Sequence, residues 1–114
     1  MIRMLLLALG LLLAAVQPGR AQADAGDVEA GRRLAGIWCS NCHLTGAGPQ
    51  ARTADAAPSF RSIARMPSQT ALSLRAFLQT PHVLMPDYQL SREEQDDVVA
   101  YILSLDDRRQ QTKR

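Results

Sequence analysis

Apolar residues recur at helical spacing in three segments of the chain, and no stretch shows the apolar–polar alternation of a half-buried strand. The pattern predicts an all-α protein with three main helices. The first is predicted to begin after Asp27, a suitable N-cap, and the second to cover about 68–80 and end at Pro81. The third follows Ser91, which forms a capping-box sequence with Glu94. The apolar faces expected of the three helices are, in order, Val28, Gly31, Leu34, Ala35 and Trp38; Leu72, Leu74, Phe77 and Leu78; and Val98, Tyr101, Ile102 and Leu105.

The segments between these helices are rich in turn-forming residues. Residues 45–58 contain mostly Gly, Ala, Pro and scattered polar residues, so they are predicted as a loop, and residues 58–64 as a short helical turn. Residues 82–90 form an irregular stretch before the last helix. The basic end of the chain, 108–114, is predicted to be a solvated, frayed terminus rather than a binding arm.

The first 23 residues have the pattern of a secretory signal peptide. Arg3 precedes an apolar stretch over residues 4–16, and residues 21–23 read Ala-Gln-Ala, the small-x-small sequence of a cleavage site. The apolar stretch has 13 residues, whereas a membrane-spanning helix needs roughly 20. We therefore predict cleavage after residue 23 in preference to a stable membrane anchor, and a single domain over residues 24–114 that is exported to the periplasm.

Export changes the charge of the protein. Arg3 and Arg20 leave with the signal peptide, so 11 of the 13 basic residues remain against 11 acidic ones. The mature domain is then formally neutral, so nucleic acid is not expected as a partner. A monomer is expected. A chain of this size buries only about 60 to 65% of its surface, and it has few aromatic residues. We expect a bound group to complete the core and the apoprotein to fold poorly.

The only two cysteines of the chain lie in the pentapeptide Cys39-Ser40-Asn41-Cys42-His43. C-x-x-C-H is the pattern of covalent haem attachment, because two thiols about one helical turn apart can each add to a vinyl group of one porphyrin while the histidine ligates the iron. A thioredoxin-like redox pair, a zinc site and a structural disulfide are the alternatives. No apolar strand precedes Cys39 as a redox pair would require, and beyond the motif only His82 could add a nitrogen ligand to zinc.

A second axial ligand would keep the iron six-coordinate during electron transfer. After cleavage the remaining methionines are Met66 and Met85, each followed by proline. Met85 lies in the irregular stretch between the second and third helices, where the chain can cross the other haem face, and Met/His ligation is common in cytochromes. Met85 is therefore the predicted ligand, Met66 is expected to fill the core, and His82 is the remaining rival, expected at the surface or in a supporting contact.

The sequence resembles the class I c-type cytochromes, in particular small periplasmic bacterial members with one haem, over nearly all of residues 27–105. The matching parts are Gly31, residues 39–43, 58–60 and 81–86, and Tyr101. The resemblance implies three main helices and loops wrapped around one haem c. It also implies thioether bonds from Cys39 and Cys42 and axial ligation by His43 and Met85.

The resemblance implies further roles for single residues. Gly31 would let the first helix cross the last one closely, beside Tyr101. A proline carbonyl, that of Pro58 or Pro49, would accept the second ring hydrogen of the haem-ligating histidine. One departure is Ala35, which stands four residues before the first cysteine, where family members usually have a bulky residue.

The function implied is that of a periplasmic electron carrier rather than an enzyme. Its partners would be redox proteins in the periplasm or at the inner membrane. Because Lys113 is the only lysine in the chain, docking through a ring of lysines is not expected. The alternative is an open-site haem enzyme or a gas-binding haem protein.

Overall fold

The structure, a computed structural model, describes residues 26–46, 57–82 and 84–112. The predicted signal peptide, Pro49 and Lys113 lie outside these ranges. The helices are α1 (Val28–Leu34), α2 (Phe60–Ala64), α3 (Ala71–Leu78), α4 (Arg92–Ser104) and α5 (Asp107–Gln111), and α1 continues into a π-helical turn over Ala35–Cys39. The described residues form no strand, which confirms the all-α prediction, and none of their helices is long and apolar enough to cross a membrane.

The helices begin where side chains satisfy their first backbone N–H groups. Asp27 accepts a hydrogen bond from the N–H of residue 30 at 2.8 Å, as predicted for α1. Ser91 and Glu94 form the complete capping box predicted for α4. Thr70 and Ser73 form a second capping box, so α3 starts after Thr70 rather than at the predicted residue 68.

The crossing of α1 and α4 depends on two glycines. A Cβ atom at Gly31 would lie 1.9 Å from the Asp97 carbonyl oxygen and 2.9 Å from Tyr101 Cβ. The role expected of Gly31 is confirmed. Gly26, which the sequence analysis did not single out, has φ of +57°, and a Cβ there would lie 2.1 Å from the backbone oxygen of Asp96.

The buried apolar core lies between α4 and the first three helices. Its members among the described residues are Ala35, Phe60, Ala64, Leu74, Val98, Val99, Tyr101 and Ile102. Ala35 is fully buried, so the small residue that departs from the family pattern lies within the core. The predicted face of α3 is wrong at Leu72, which is 75% exposed.

The end of the chain is docked rather than frayed over residues 107–112. The Asp107 carboxylate accepts hydrogen bonds from Arg61 at 2.8 Å and Arg65 at 2.9 Å. Two arginines of α5 donate to backbone carbonyl oxygens at the end of α2 and in the loop after it. Residues 108–112 are exposed, as predicted for a solvated end. The prediction of fraying is wrong for them, because Arg108 and Arg109 find hydrogen-bond partners in distant parts of the chain.

Candidate functional site

An apolar cavity of about 380 Å³ lies between the first helix, α2, α3 and the segment that precedes α4. Small-molecule and cofactor sites commonly have volumes of roughly 300 to 1,000 Å³. Among the described residues, no Lys, Arg, Asp or Glu side chain lines it. The cavity brings together all four residues predicted from the sequence: Cys39, Cys42, His43 and Met85.

Both cysteines are presented at the end of the first helix. The π-helical turn ends at Cys39, whose carbonyl oxygen accepts hydrogen bonds from the N–H groups of Cys42 at 3.1 Å and His43 at 2.9 Å. The motif therefore continues as a tight turn that keeps both thiols in the cavity wall. Neither cysteine forms a disulfide, so the structural-disulfide alternative is not supported.

The environment of Cys39 argues against a thiol redox module. Burial, with a smaller contribution from the neighbouring Cys42, raises the pKa of the Cys39 thiol to about 11. Thiol–disulfide chemistry depends on a thiolate near neutral pH, which redox motifs obtain by lowering a cysteine pKa. The surroundings of Cys39 instead raise its pKa and so disfavour the thiolate.

The ring of His43 is oriented by a backbone carbonyl. Its Nδ1 atom lies 2.7 Å from the Pro58 oxygen, and since a carbonyl oxygen can only accept, Nδ1 carries the hydrogen. The lone pair is then on Nε2, the atom available to a metal. The start of α2 supports this arrangement, because the Phe60 N–H donates to the Leu44 oxygen at 3.0 Å and the Phe60 ring lies 5.4 Å from that of His43.

The segment between α3 and α4 supplies another part of the cavity wall. Met85 is half-buried there, and its backbone pairs with that of His82 in an isolated bridge. The His82 ring stacks on Phe77 with 3.6 Å between centroids. Further along, the rings of Tyr88 and Trp38 lie 5.5 Å apart.

Comparison with known proteins agrees with this geometry. The family model of cytochrome c matches residues 28–106. The chain belongs to the cytochrome c family. It is 43% identical over 94 residues to cytochrome c-552 of Bradyrhizobium diazoefficiens, an alignment that covers 82% of this chain and 89% of that protein. No solved structure matches it.

Membership of the cytochrome c family identifies the cofactor as covalently bound haem c and the activity as electron transport. The cavity suits this cofactor, since it combines an apolar lining, two thiols and an imidazole whose Nδ1 is already engaged. The described residues contain no group of three or more His, Cys, Asp or Glu side chains that could hold a metal ion by themselves.

The other two candidate iron ligands weighed from the sequence, Met66 and His82, also line this cavity. Met66, expected to fill the core, lies in the cavity wall, and its sulfur accepts a hydrogen bond from Gln69 Nε2 at 3.8 Å. His82 is half-buried, and its ring stacks on Phe77.

One long-range hydrogen bond of the cytochrome had no signal in the sequence. The buried hydroxyl of Tyr101 donates to the Thr45 carbonyl oxygen at 2.8 Å, across 56 positions of the chain. It connects α4 to the loop that follows the haem motif. Burial also raises the pKa of Tyr101, so the hydroxyl keeps the hydrogen that it donates.

Proposed function

We propose that the protein is a periplasmic single-electron carrier in which Cys39 and Cys42 hold haem c through thioether bonds and His43 and Met85 are the axial ligands of its iron. The observation that carries the proposal is the hydrogen bond from His43 Nδ1 to the Pro58 oxygen, formed in a cavity that both thiols and Met85 also line. The Nδ1 atom of His43 is thereby hydrogen-bonded to the protein, and its Nε2 atom remains available to ligate iron.

The haem supplies a one-electron couple between its ferric and ferrous states. The residues of this chain determine the reduction potential of that couple. Pro58 fixes the orientation of the His43 ring and raises its basicity. The thioether of Met85 is a soft ligand that favours the ferrous state. The apolar lining disfavours the additional positive charge of the ferric state. The Met85 thioether and the apolar lining therefore both raise the reduction potential.

The proposed location rests on the signal-peptide pattern of residues 1–23. In the periplasm the domain would exchange electrons with soluble redox proteins or with complexes of the inner membrane. Amino-terminal sequencing of the protein from a periplasmic fraction should begin at Asp24. A full-length chain that remains in the membrane fraction would contradict cleavage and support an anchor.

The test of the haem assignment is spectroscopic. Protein purified from the periplasm should have the mass of the chain plus one haem, and its ferric form should show the weak sulfur-to-iron charge-transfer band of Met ligation. The ferrous form should bind carbon monoxide only slowly at neutral pH. Free thiols at Cys39 and Cys42 would contradict haem attachment, and rapid carbon monoxide binding would support the open-site alternative.

A matched pair of variants identifies the sulfur ligand. Met85→Ala should lose the charge-transfer band and bind carbon monoxide rapidly, unless His82 takes the vacant position and gives a bis-histidine spectrum. Met66→Leu removes the other sulfur of the same cavity and should keep the band. Loss of the band in Met66→Leu and its retention in Met85→Ala would show that the ligand is Met66.

A further inference from the structure

Met85 lies outside the helices, in the segment between α3 and α4. Helical hydrogen bonds therefore do not fix the position of its sulfur. A ligand that must stay on the iron in both oxidation states needs other restraints, because a weakly held loop opens locally at little cost in free energy.

Two ring contacts flank Met85 symmetrically along the chain. His82, three residues before it, stacks on Phe77 of α3 at 3.6 Å. Tyr88, three residues after it, contacts Trp38 with 5.5 Å between ring centroids and 41° between ring planes. Trp38 directly precedes Cys39, so this second contact joins the Met85 segment to the haem-attachment motif itself.

The contact between Trp38 and Tyr88 is not part of the buried core. Neither side chain belongs to the core cluster that α4 and its neighbours form. Both rings line the cavity. Their contact thus bridges two segments of the site, the end of the first helix and the segment that contains Met85.

We infer that Trp38 and Tyr88 are positioning residues, whose ring contact holds the Met85 segment against the Cys39 end of the first helix and so keeps the Met85 sulfur on the iron. The inference rests on the proposed axial ligation by Met85. Loss of the contact increases the fraction of molecules in which the segment has swung away, and the iron then becomes open to external ligands.

The experiment measures the rate at which carbon monoxide binds to the ferrous holoprotein, since binding requires Met85 to leave the iron. An aromatic pair of this type changes an equilibrium by about 2- to 10-fold. Tyr88→Leu should therefore bind carbon monoxide about 2 to 10 times faster than wild type and show a weaker charge-transfer band. Tyr88→Phe keeps the ring and should match wild type. Leu72→Ala, which changes an exposed side chain of α3 outside the cavity, is the control and should also match wild type.

A second variant tests whether the two rings act together. Trp38→Leu should accelerate carbon monoxide binding as Tyr88→Leu does, and the double variant should be no faster than the faster single variant. Multiplying effects in the double variant, an unchanged rate in Tyr88→Leu, or equal acceleration in Tyr88→Phe and Tyr88→Leu would each overturn the inference. Absence of the charge-transfer band from wild type would instead show that the Met85 assignment itself is wrong.

Discussion

Gly31 and His43 show how single residues determine the site. Gly31 allows α1 to approach α4 until the space that a Cβ would need is occupied by the Asp97 carbonyl group. That close approach sets the position of the end of the first helix and therefore of Cys39. His43 depends on one backbone atom, the Pro58 oxygen, for the orientation of its ring. The family resemblance implied both roles but left Pro58 and Pro49 open as the acceptor for His43, and the structure identifies Pro58.

Replacement of Gly31 tests the helix crossing. Gly31→Ala should destabilise the holoprotein by about 2 to 3 kcal/mol, because the new methyl group meets backbone rather than an adjustable side chain. The higher helix propensity of alanine, worth about 1 kcal/mol, reduces the loss without cancelling it. Denaturant unfolding measures the change. Arg33→Ala, at an exposed position of the same helix, is the control, and equal stability of Gly31→Ala and wild type would contradict a tight crossing.

At the scale of helices, the local sequence predicted the first residues of α1 and α4 more accurately than it predicted which face of α3 is buried. The capping box of Ser91 and Glu94 was readable from a spacing of three residues. The face of α3 was not, since Leu72 is exposed although it fits the apolar period. α5 had no apolar periodicity and was missed. Its position depends on Arg61 and Arg65, which precede it by more than 40 residues.

The capping box of α4 should make stability depend on pH. The Ser91 N–H donates to the Glu94 carboxylate at 2.8 Å, and this hydrogen bond, together with that of the Ser91 side chain, lowers the pKa of Glu94. A lowered folded-state pKa stabilises the protein above the ordinary carboxyl pKa, and the contribution is lost as the pH falls through the lowered value.

Unfolding free energies measured from roughly pH 7 to pH 3 should therefore fall less steeply in Glu94→Gln than in wild type. Glu93→Gln removes a charge from the same helical turn without touching the capping box, so it should keep the wild-type slope. Identical slopes in Glu94→Gln and wild type would contradict the assigned contribution. Ser91→Ala should cost about 1 kcal/mol at neutral pH.

At the scale of the whole molecule, few large apolar side chains are available to pack the core and to line the cavity. The buried core among the described residues includes only two aromatic rings, those of Phe60 and Tyr101, beside a cavity of about 380 Å³. A cofactor that fills this cavity covers apolar side chains that would otherwise face solvent, so it completes the core.

A chain without attached haem should accordingly be poorly folded. Cys39→Ala/Cys42→Ala removes both attachment points and should show reduced helical circular dichroism and a broad, weakly cooperative thermal transition. The wild-type holoprotein is the reference. A cooperative melt of native amplitude in the double variant would show that the helices pack without haem.

The sequence by itself determined the haem motif, the candidate sulfur ligand, the all-α class and the caps of α1 and α4. The motif and the caps depend on residues only a few positions apart, whose spacing carries the chemistry directly. The class follows from helical periodicity, and the sulfur ligand from the position of Met85 between two predicted helices. Only the tertiary structure decided that Pro58 orients His43 across 15 positions and that Tyr101 reaches Thr45 across 56. It also decided that Met66 shares the cavity with Met85. Such contacts depend on how the helices cross, and that crossing is set by packing among many residues far apart in the chain.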